Sequence, residues 1–431
     1  MKTKKVAFYT LGCKLNFAET STISRFFLDE DFEIVKFSEI ADFYVINTCS
    51  VTANANKKSR NAIARAKLKN PNSVVVATGC YAQLKPEEIE ELHYADYIIG
   101  ANDKHQINEI LKAHSSKDIS SKYITDHKEV KTFFAAFSKG DRTRSFLKVQ
   151  DGCDYFCAYC TIPYARGRSR NLSIKGIIDN ARNIAKENIK EIILTGINIG
   201  DFGKSTNETF YDLLLALLEV KGIERIRTGS IEPNLLEDRI IHLIASEKKL
   251  MPHFHIPLQS GSNEILNLIG RRYDTNLFRS KVETIKHLIP DAFIGIDLIV
   301  GLNGETEMHF NETYEFVKSL DISFIHHFQY SEREGTPAVN FMPKTSPQQK
   351  QKRAAIINEI SDIKHSNFLK KSIGTKHTIL FESAHKNGKI YGYTDNYIRV
   401  CTEFNENLLN QIIEVSLIKF DNKDTLIAKA L

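Results

Sequence analysis

Tryptophan is missing from the 431-residue chain, and its absence excludes nothing about function. Other shortages say more. The longest uncharged apolar runs, such as VVVATGCYA and EIILTGINIG, fall far short of the roughly 20 residues a membrane helix needs. The opening MKTKKVAFYT lacks an apolar core followed by a small-residue cleavage site, so no signal peptide is read and a cytoplasmic protein is expected. Net charge is small: 58 Lys plus Arg stand against 53 Asp plus Glu, a bias too weak to argue a nucleic-acid partner by itself. Cysteines number only 7, an odd count in a chain with no export signal, which excludes a disulfide scaffold. With 42% hydrophobic residues, 26 Phe and 16 Tyr, global disorder, a collagen-like fibre and low complexity are excluded too.

What remains is a pattern of alternating strands and helices. KKVAFYTLGC, DFYVINTC and SVVVATGC read as strands ending at Cys13, Cys49 and Cys80, with ADYIIG as a fourth. Helix-like stretches separate them, which predicts a small parallel α/β sheet. In such a sheet the C-terminal strand ends share one edge. The three cysteines, two of them preceded by Gly12 and Gly79, are therefore expected to meet on one rim rather than to be three separate core residues. A weaker pattern over 102–140, containing SSKDISS, reads as a linker with an edge hairpin or short helix. Six further βα-like units follow, with strands in 145–153, 191–198, 225–233, 253–261, 293–301 and 322–330. Six is two short of a full eightfold barrel, so a partly open barrel is expected, its chemistry on the loops after the strands. A long polar helix or helix pair from 346 leads into strands joined by Gly and Asn turns, a small all-β barrel. The predicted class is α/β. The predicted domains are 1–115, a linker 116–140, 141–371 and 372–431.

The strongest motif is Cys153-x3-Cys157-x2-Cys160. Three thiolates on one tight loop can hold a [4Fe–4S] cubane and leave one iron open for a substrate chelate. A structural zinc would want a fourth ligand nearby. The nearest histidines, His127 and His242, lack that spacing.

The motif resembles the signature of the radical S-adenosylmethionine enzymes, and the likeness extends over nearly the whole chain to the methylthiotransferase family. The matching stretches include TLGCKLNFAET, NTCSVTANANKKSR, ATGCYAQ, KVQDGCDYFCAYCTIPYARGRSR, LTGINIGDFG, SIEP, HIPLQSGSNEIL, RRY and DLIVGLNGETE. The resemblance implies an N-terminal cluster domain, a partly open (β/α)6 radical domain and a C-terminal TRAM-like β domain. It implies a second [4Fe–4S] cluster on Cys13, Cys49 and Cys80, and S-adenosylmethionine as co-substrate. It also implies a methylthio group delivered by radical chemistry, a tRNA anticodon loop as partner, a low-potential electron donor and a sulfur donor. Among the branches, LGCKLN and ARGRSR resemble the enzymes acting on N6-threonylcarbamoyladenosine-37 of tRNA. The alternatives are the isopentenyladenosine-37 enzymes, the ribosomal-protein aspartate enzymes and, outside catalysis, an iron–sulfur RNA-binding module. The chain departs from the family at Leu302-Asn303, where Phe-Pro is usual, and at Asn171, where serine is usual.

Residues at strand ends are the candidate cofactor contacts: Thr195 and Gly196, Ser230 and Glu232, Gln259 and Ser260 with Ser262, and Tyr159 inside the cysteine loop. Each has a plainer reading as a turn, cap or packing residue. Arg166, Arg168 and Arg170 are candidates for phosphate or for the carboxylate of threonylcarbamoyladenosine, against a solvated loop. Residues 55–70 carry six Lys or Arg and no acid, and 344–376 carry eight against two acids, a divided basic footprint for tRNA or two solvated helix faces. Tyr391, Tyr393 and Tyr397 suit base stacking or cross-strand packing. Cys401 reads as a buried small residue.

Overall fold

The structure is a computed structural model in which residues 3–28, 31–114, 121–140 and 143–431 are described. The N-terminal sheet has six parallel strands: β1 (Lys4–Thr10), β2 (Phe32–Val35), β3 (Phe43–Thr48), β4 (Val74–Gly79), β5 (Tyr97–Ile99) and β6 (Ser121–Tyr123), in the order β2-β1-β3-β4-β5-β6. The β-branched runs of β3 and β4 are buried along their whole length, as a sheet covered on both faces requires. Helices α1 (Lys14–Arg25), α2 (Ala53–Lys69) and α3 (Cys80–Leu84) each start just past a strand end.

Two edge strands depart from the four-strand reading. β2 is only four residues long, and β6 falls inside the stretch read as a linker. Ser121–Tyr123 pairs parallel with β5 instead of forming a hairpin, and the segment before it contributes a helix, Ile107–Ala113. Residues 116–120 of the expected linker lie outside the described residues. Further along, Phe137 bridges antiparallel to Leu147 and its carbonyl accepts from Thr22 and Arg25, which ties this stretch to the next unit.

That unit is built on β7 (Arg144–Lys148), followed by a two-residue pairing of β8 (Gln150–Asp151) with β9 (Arg170–Asn171). Then come β10 (Glu191–Thr195), β11 (Arg225–Arg227), β12 (His253–Gln259), β13 (Phe293–Val300) and β14 (Phe324–Gln329). β7-β10-β11 and β12-β13-β14 are parallel triplets, joined through the bridges Ile226–Leu250 and Ser230–His255. The six strands thus follow one another in sequence order as a partly open barrel, in the positions the sequence predicts. Period-2 alternation sorts their side chains. Along β12, Phe254, Ile256 and Leu258 join the core beneath the helices, while His253 and His255 face a central cavity. Along β13, Ile294, Ile296 and Leu298 face out, and Phe293 and Asp297 face in.

A single 26-residue helix, Pro347–Ser372, opens with Pro at its first turn and a Ser346–Gln349 capping box. It leads to β15 (Lys376–Lys386), β16 (Lys389–Thr394), β17 (Arg399–Glu403), β18 (Ile412–Asn422) and β19 (Thr425–Ala430), a closed five-stranded barrel in the order β15-β16-β17-β19-β18. Among the described residues no helix is long and apolar enough to cross a membrane.

The small barrel seals the floor of the large one. Arg225 donates to the carbonyls of Thr378 (2.6 Å) and Tyr393 (3.1 Å), and Arg227 to those of Asp395 (2.9 Å) and Thr394 (3.2 Å). Glu191 holds both guanidiniums, at 3.3 and 3.1 Å. Tyr397, at φ +70°, stacks on Tyr393 and puts its ring 4.6 Å from that of His253 on the cavity wall. Tyr397 therefore lines the cavity of the large barrel, with Tyr393 stacked on it. Tyr397→Ala is expected to lower stability by about 3 kcal/mol, because the ring is removed and nothing refills the floor. Urea unfolding measures it, with Tyr391→Ala expected to cost under about 1 kcal/mol as the comparison.

Candidate cluster and substrate site

The N-terminal cysteines converge as the sheet geometry requires. All seven cysteines are free thiols. Gly12, at φ +98°, lets Cys13 approach β3 so closely that a Cβ at residue 12 would sit 2.9 Å from both Cβ and Sγ of Cys49. Burial pushes the Cys49 thiol up to about 11, and the neighbouring Cys80 adds to the shift. Burial also raises Cys80, against the pull of Arg166 and Lys104 beside it.

The second set lies on the loop after β8. Cys153 Sγ accepts from Tyr155 N and Cys160 Sγ from Ile162 N, both at 3.5 Å, and Cys157 Sγ accepts from Arg271 Nη1 at 3.1 Å. Burial pushes Cys153 and Cys160 up to about 12. Three sulfurs, that of buried Cys157 and those of half-buried Cys153 and Cys160, each already receive an N–H and suit a cluster that draws negative charge onto thiolates. Among the described residues no three His, Cys, Asp or Glu side chains are gathered for a single metal ion. A lone zinc needs its ligands at about 2.0–2.3 Å from one point, whereas a cubane gives each thiolate its own iron.

Between the two sets runs a buried ion network. Glu19 of α1 meets Lys104, Lys148 (2.7 Å) and Arg166 (2.9 Å). Asp151 meets Lys148 (2.7 Å), Arg166 (3.0 Å) and Arg170 (3.3 Å). Burial alone would raise the Glu19 carboxyl, but Arg166, Lys104 and Lys148 together hold it well below the usual carboxylate range. Arg166 also donates to Asn16 Oδ1 at 2.6 Å, and Arg170 to the carbonyls of Thr132, Arg166 and Arg168. Two of the three arginines read as substrate contacts are therefore turned inward, because two buried carboxylates demand them. Arg168 alone is exposed, lying over the Phe156 ring.

A cavity of about 570 Å³ opens at the strand ends. Gly12, Cys13, Lys14 and Leu15 form one wall, Thr195, Gly196, Thr228, Gly229 and Ser230 another, and His253, His255, Phe293, Asp297, His326, Phe328 and Tyr397 the depth. Thr195, Gly196 and Ser230 of the predicted contacts thus share it with Cys13. At Gly196 a Cβ would come within 2.9 Å of Gln150 Oε1, the oxygen that accepts from Ile197 N and Asn198 N; the glycine makes room for a turn. Ser230 Oγ is 2.6 Å from His255 Nδ1, whose Nε2 is 3.0 Å from Asp297 Oδ1. Glu232 pairs with Arg271, which links it to Cys157. Tyr159 lies beside the same guanidinium, with burial raising its hydroxyl. Gln259 ends β12 at φ +66°. Ser260 is buried, 3.2 Å from Thr313 Oγ1 and accepting from Ser262 N, so it builds the turn rather than the cavity.

Sequence reasoning passed over Lys14, His255, Asp297, His326 and Arg271 as site residues. The alternation His253–Phe254–His255 was the available signal. Much of the proposed basic footprint is also used internally. Lys67 pairs with Asp96, Lys69 caps the carbonyls of Phe37 and Ser38, and Arg353 is buried against Glu305.

Residues 5–100 match the uncharacterized protein family UPF0004, and residues 147–317 match the radical SAM superfamily. The threonylcarbamoyladenosine tRNA methylthiotransferase of Aquifex aeolicus is 40% identical over 86% of this chain and 91% of its own. That of Bacillus subtilis is 35% identical over 96% and 94%. A tRNA-2-methylthio-N6-dimethylallyladenosine synthase of Clostridium botulinum is 33% identical over 95% and 93%. Among solved structures, the radical S-adenosylmethionine methyltransferase TsrM of Kitasatospora setae superimposes with a TM-score of 0.55 at 12% identity, over 78% of this chain and 77% of that one. That likeness shows the fold alone.

Proposed function

The chain belongs to the radical S-adenosylmethionine methylthiotransferase family, and from that premise we propose that it adds a methylthio group to C2 of N6-threonylcarbamoyladenosine-37 in tRNA. The observation that carries the reading is the shared cavity, where Cys13 of one cysteine set meets the strand ends of the barrel that presents the other.

Cys153, Cys157 and Cys160 would hold one [4Fe–4S] cluster, and Cys13, Cys49 and Cys80 the second. When bound, the two clusters and S-adenosylmethionine supply the radical that removes the adenine C2 hydrogen and the methylthio group that replaces it. A low-potential reductant and a sulfur donor complete the set of partners, and the cytoplasm is the compartment.

The chain's own residues have four tasks. Arg271 and the amides of Tyr155 and Ile162 stabilise charge on the three loop sulfurs. Thr195 and Ser230 offer hydroxyls where the methionine and ribose groups of the co-substrate are expected, with Glu232 and Tyr159 near the Cys157 sulfur. The Arg225–Glu191–Arg227 cluster and the Tyr397 ring close the floor and keep water from a radical. The cavity accepts a single flipped base, which an anticodon loop yields cheaply because residue 37 is not paired.

The test is anaerobic reconstitution with S-adenosylmethionine, dithionite and tRNA carrying either threonylcarbamoyladenosine or isopentenyladenosine at position 37. Nucleoside mass spectrometry is expected to find the 2-methylthio product from the first. Product from the second alone would assign the chain to the other tRNA branch, and absence of 5′-deoxyadenosine would remove the enzyme reading altogether.

A further inference from the structure

We infer that Lys14 is the specificity residue of this site, its ammonium binding the carboxylate of the threonylcarbamoyl group from the cavity wall. The inference rests on the methylthiotransferase reading and adds to it the residue that reads the nucleoside.

A buried lysine is ordinarily paired, and Lys104 and Lys148 obey this, each bound to Glu19. Lys14 is exposed to the cavity instead. It lines the cavity and reaches toward Asp297, Arg227 and Tyr397, yet forms no hydrogen bond or ion pair with a described residue. Asp297, the carboxylate on that wall, is held by His255 at 3.0 Å and stands beyond ion-pair distance of the ammonium. Arg225 and Arg227 at the floor are satisfied by Glu191 and by four carbonyls of the small barrel. The counter-ion of Lys14 is therefore not supplied by the chain. A volume of about 570 Å³ is within the range of small-ligand cavities.

Two carboxylates are at hand in the reaction, that of the modified nucleoside and that of S-adenosylmethionine. Lys14 belongs to the wall given by the N-terminal unit, whereas Cys153, Cys157 and Cys160 do not line this cavity. Thr195 and Ser230, where the co-substrate's groups are expected, stand on the barrel wall of the cavity, so its carboxylate would lie on that side rather than at Lys14. The nucleoside's carboxylate is the one left for Lys14. Its inward-turned rivals, Arg166 and Arg170, are already committed to Glu19 and Asp151.

The experiment uses reconstituted full-length protein and anticodon stem-loops carrying threonylcarbamoyladenosine, its methyl ester, or plain adenosine at 37. Wild type is expected to bind the acid on the order of tenfold or more tighter than the ester, as a charge-assisted hydrogen bond implies. Lys14→Met should erase that difference and Lys14→Arg should keep most of it, with iron content and S-adenosylmethionine affinity unchanged. Equal binding of acid and ester by wild type overturns the inference without any variant, so a failure of Lys14→Met to fold leaves it testable. A weakened S-adenosylmethionine affinity in Lys14→Met with acid–ester discrimination intact also overturns it, assigning Lys14 to the other carboxylate. The reading beneath it fails separately, if wild type modifies no threonylcarbamoyladenosine-37 in intact tRNA.

Discussion

Glu19→Gln is expected to destabilise the protein by about 3–5 kcal/mol in urea unfolding, the largest single effect among its non-ligand residues. The carboxylate is 1% exposed and receives Lys104, Lys148 and Arg166. A glutamine keeps the shape but leaves three buried cations with a neutral acceptor. The residues involved belong to two units. Glu19 and Lys104 come from the N-terminal sheet domain, Lys148 and Arg166 from the barrel. The loss should therefore appear as separation of the two, seen as protease cleavage in the 121–140 stretch. Adding Lys104→Met to Glu19→Gln should recover part of the loss by removing one uncompensated charge, a coupling that a double-mutant cycle reads directly. The pH dependence follows from the depressed carboxyl. Its contribution is complete above the ordinary glutamate value of about 4.3 and fades as the pH falls toward the lower folded value. Wild type should thus lose stability on acidification more steeply than Glu19→Gln. Equal slopes would show that the carboxyl is not held low.

The same network marks where local sequence stops being informative. Three arginines in five residues read as a surface for anions, because charge density is local and visible. Their partners are not local. Glu19 lies 147 residues from Arg166, and only the packing of α1 against β7 brings them together. Short edge strands escaped for a related reason: β6 is Ser-Lys-Tyr, and nothing in three largely exposed residues announces a strand until β5 offers its free edge. By contrast the six barrel strands and the cysteine rim were legible. β-branched runs fix strand identity, and parallel strand order forces Cys13, Cys49 and Cys80 to one edge whatever the intervening helices contain. Lys14 was visible only as a letter in a motif. Its meaning depends on a cavity formed by segments up to 383 residues away, at Tyr397.

Replacing Cys13, Cys49 and Cys80 together by Ala is expected to lower the iron content of anaerobically purified protein from about eight to about four per chain and to abolish methylthiolation. The protein should still cleave S-adenosylmethionine to 5′-deoxyadenosine when reduced. Replacing Cys153, Cys157 and Cys160 should give the same iron content by the opposite route and eliminate 5′-deoxyadenosine as well. The asymmetry follows from where each set sits. The loop sulfurs are held by Arg271, Tyr155 N and Ile162 N, all within the barrel unit, so their cluster does not need the N-terminal cysteines for its supports. The N-terminal sulfurs are packed against Gly12 and beside Arg166, which the ion network fixes independently of either cluster. Each triple variant should therefore keep its fold and the other cluster. An iron content near zero in either variant would show that the two sites assemble only together. An iron content of about four in the wild type would leave the radical nothing to meet at the far wall of the cavity, and the division of labour between the two cysteine sets would fall with it.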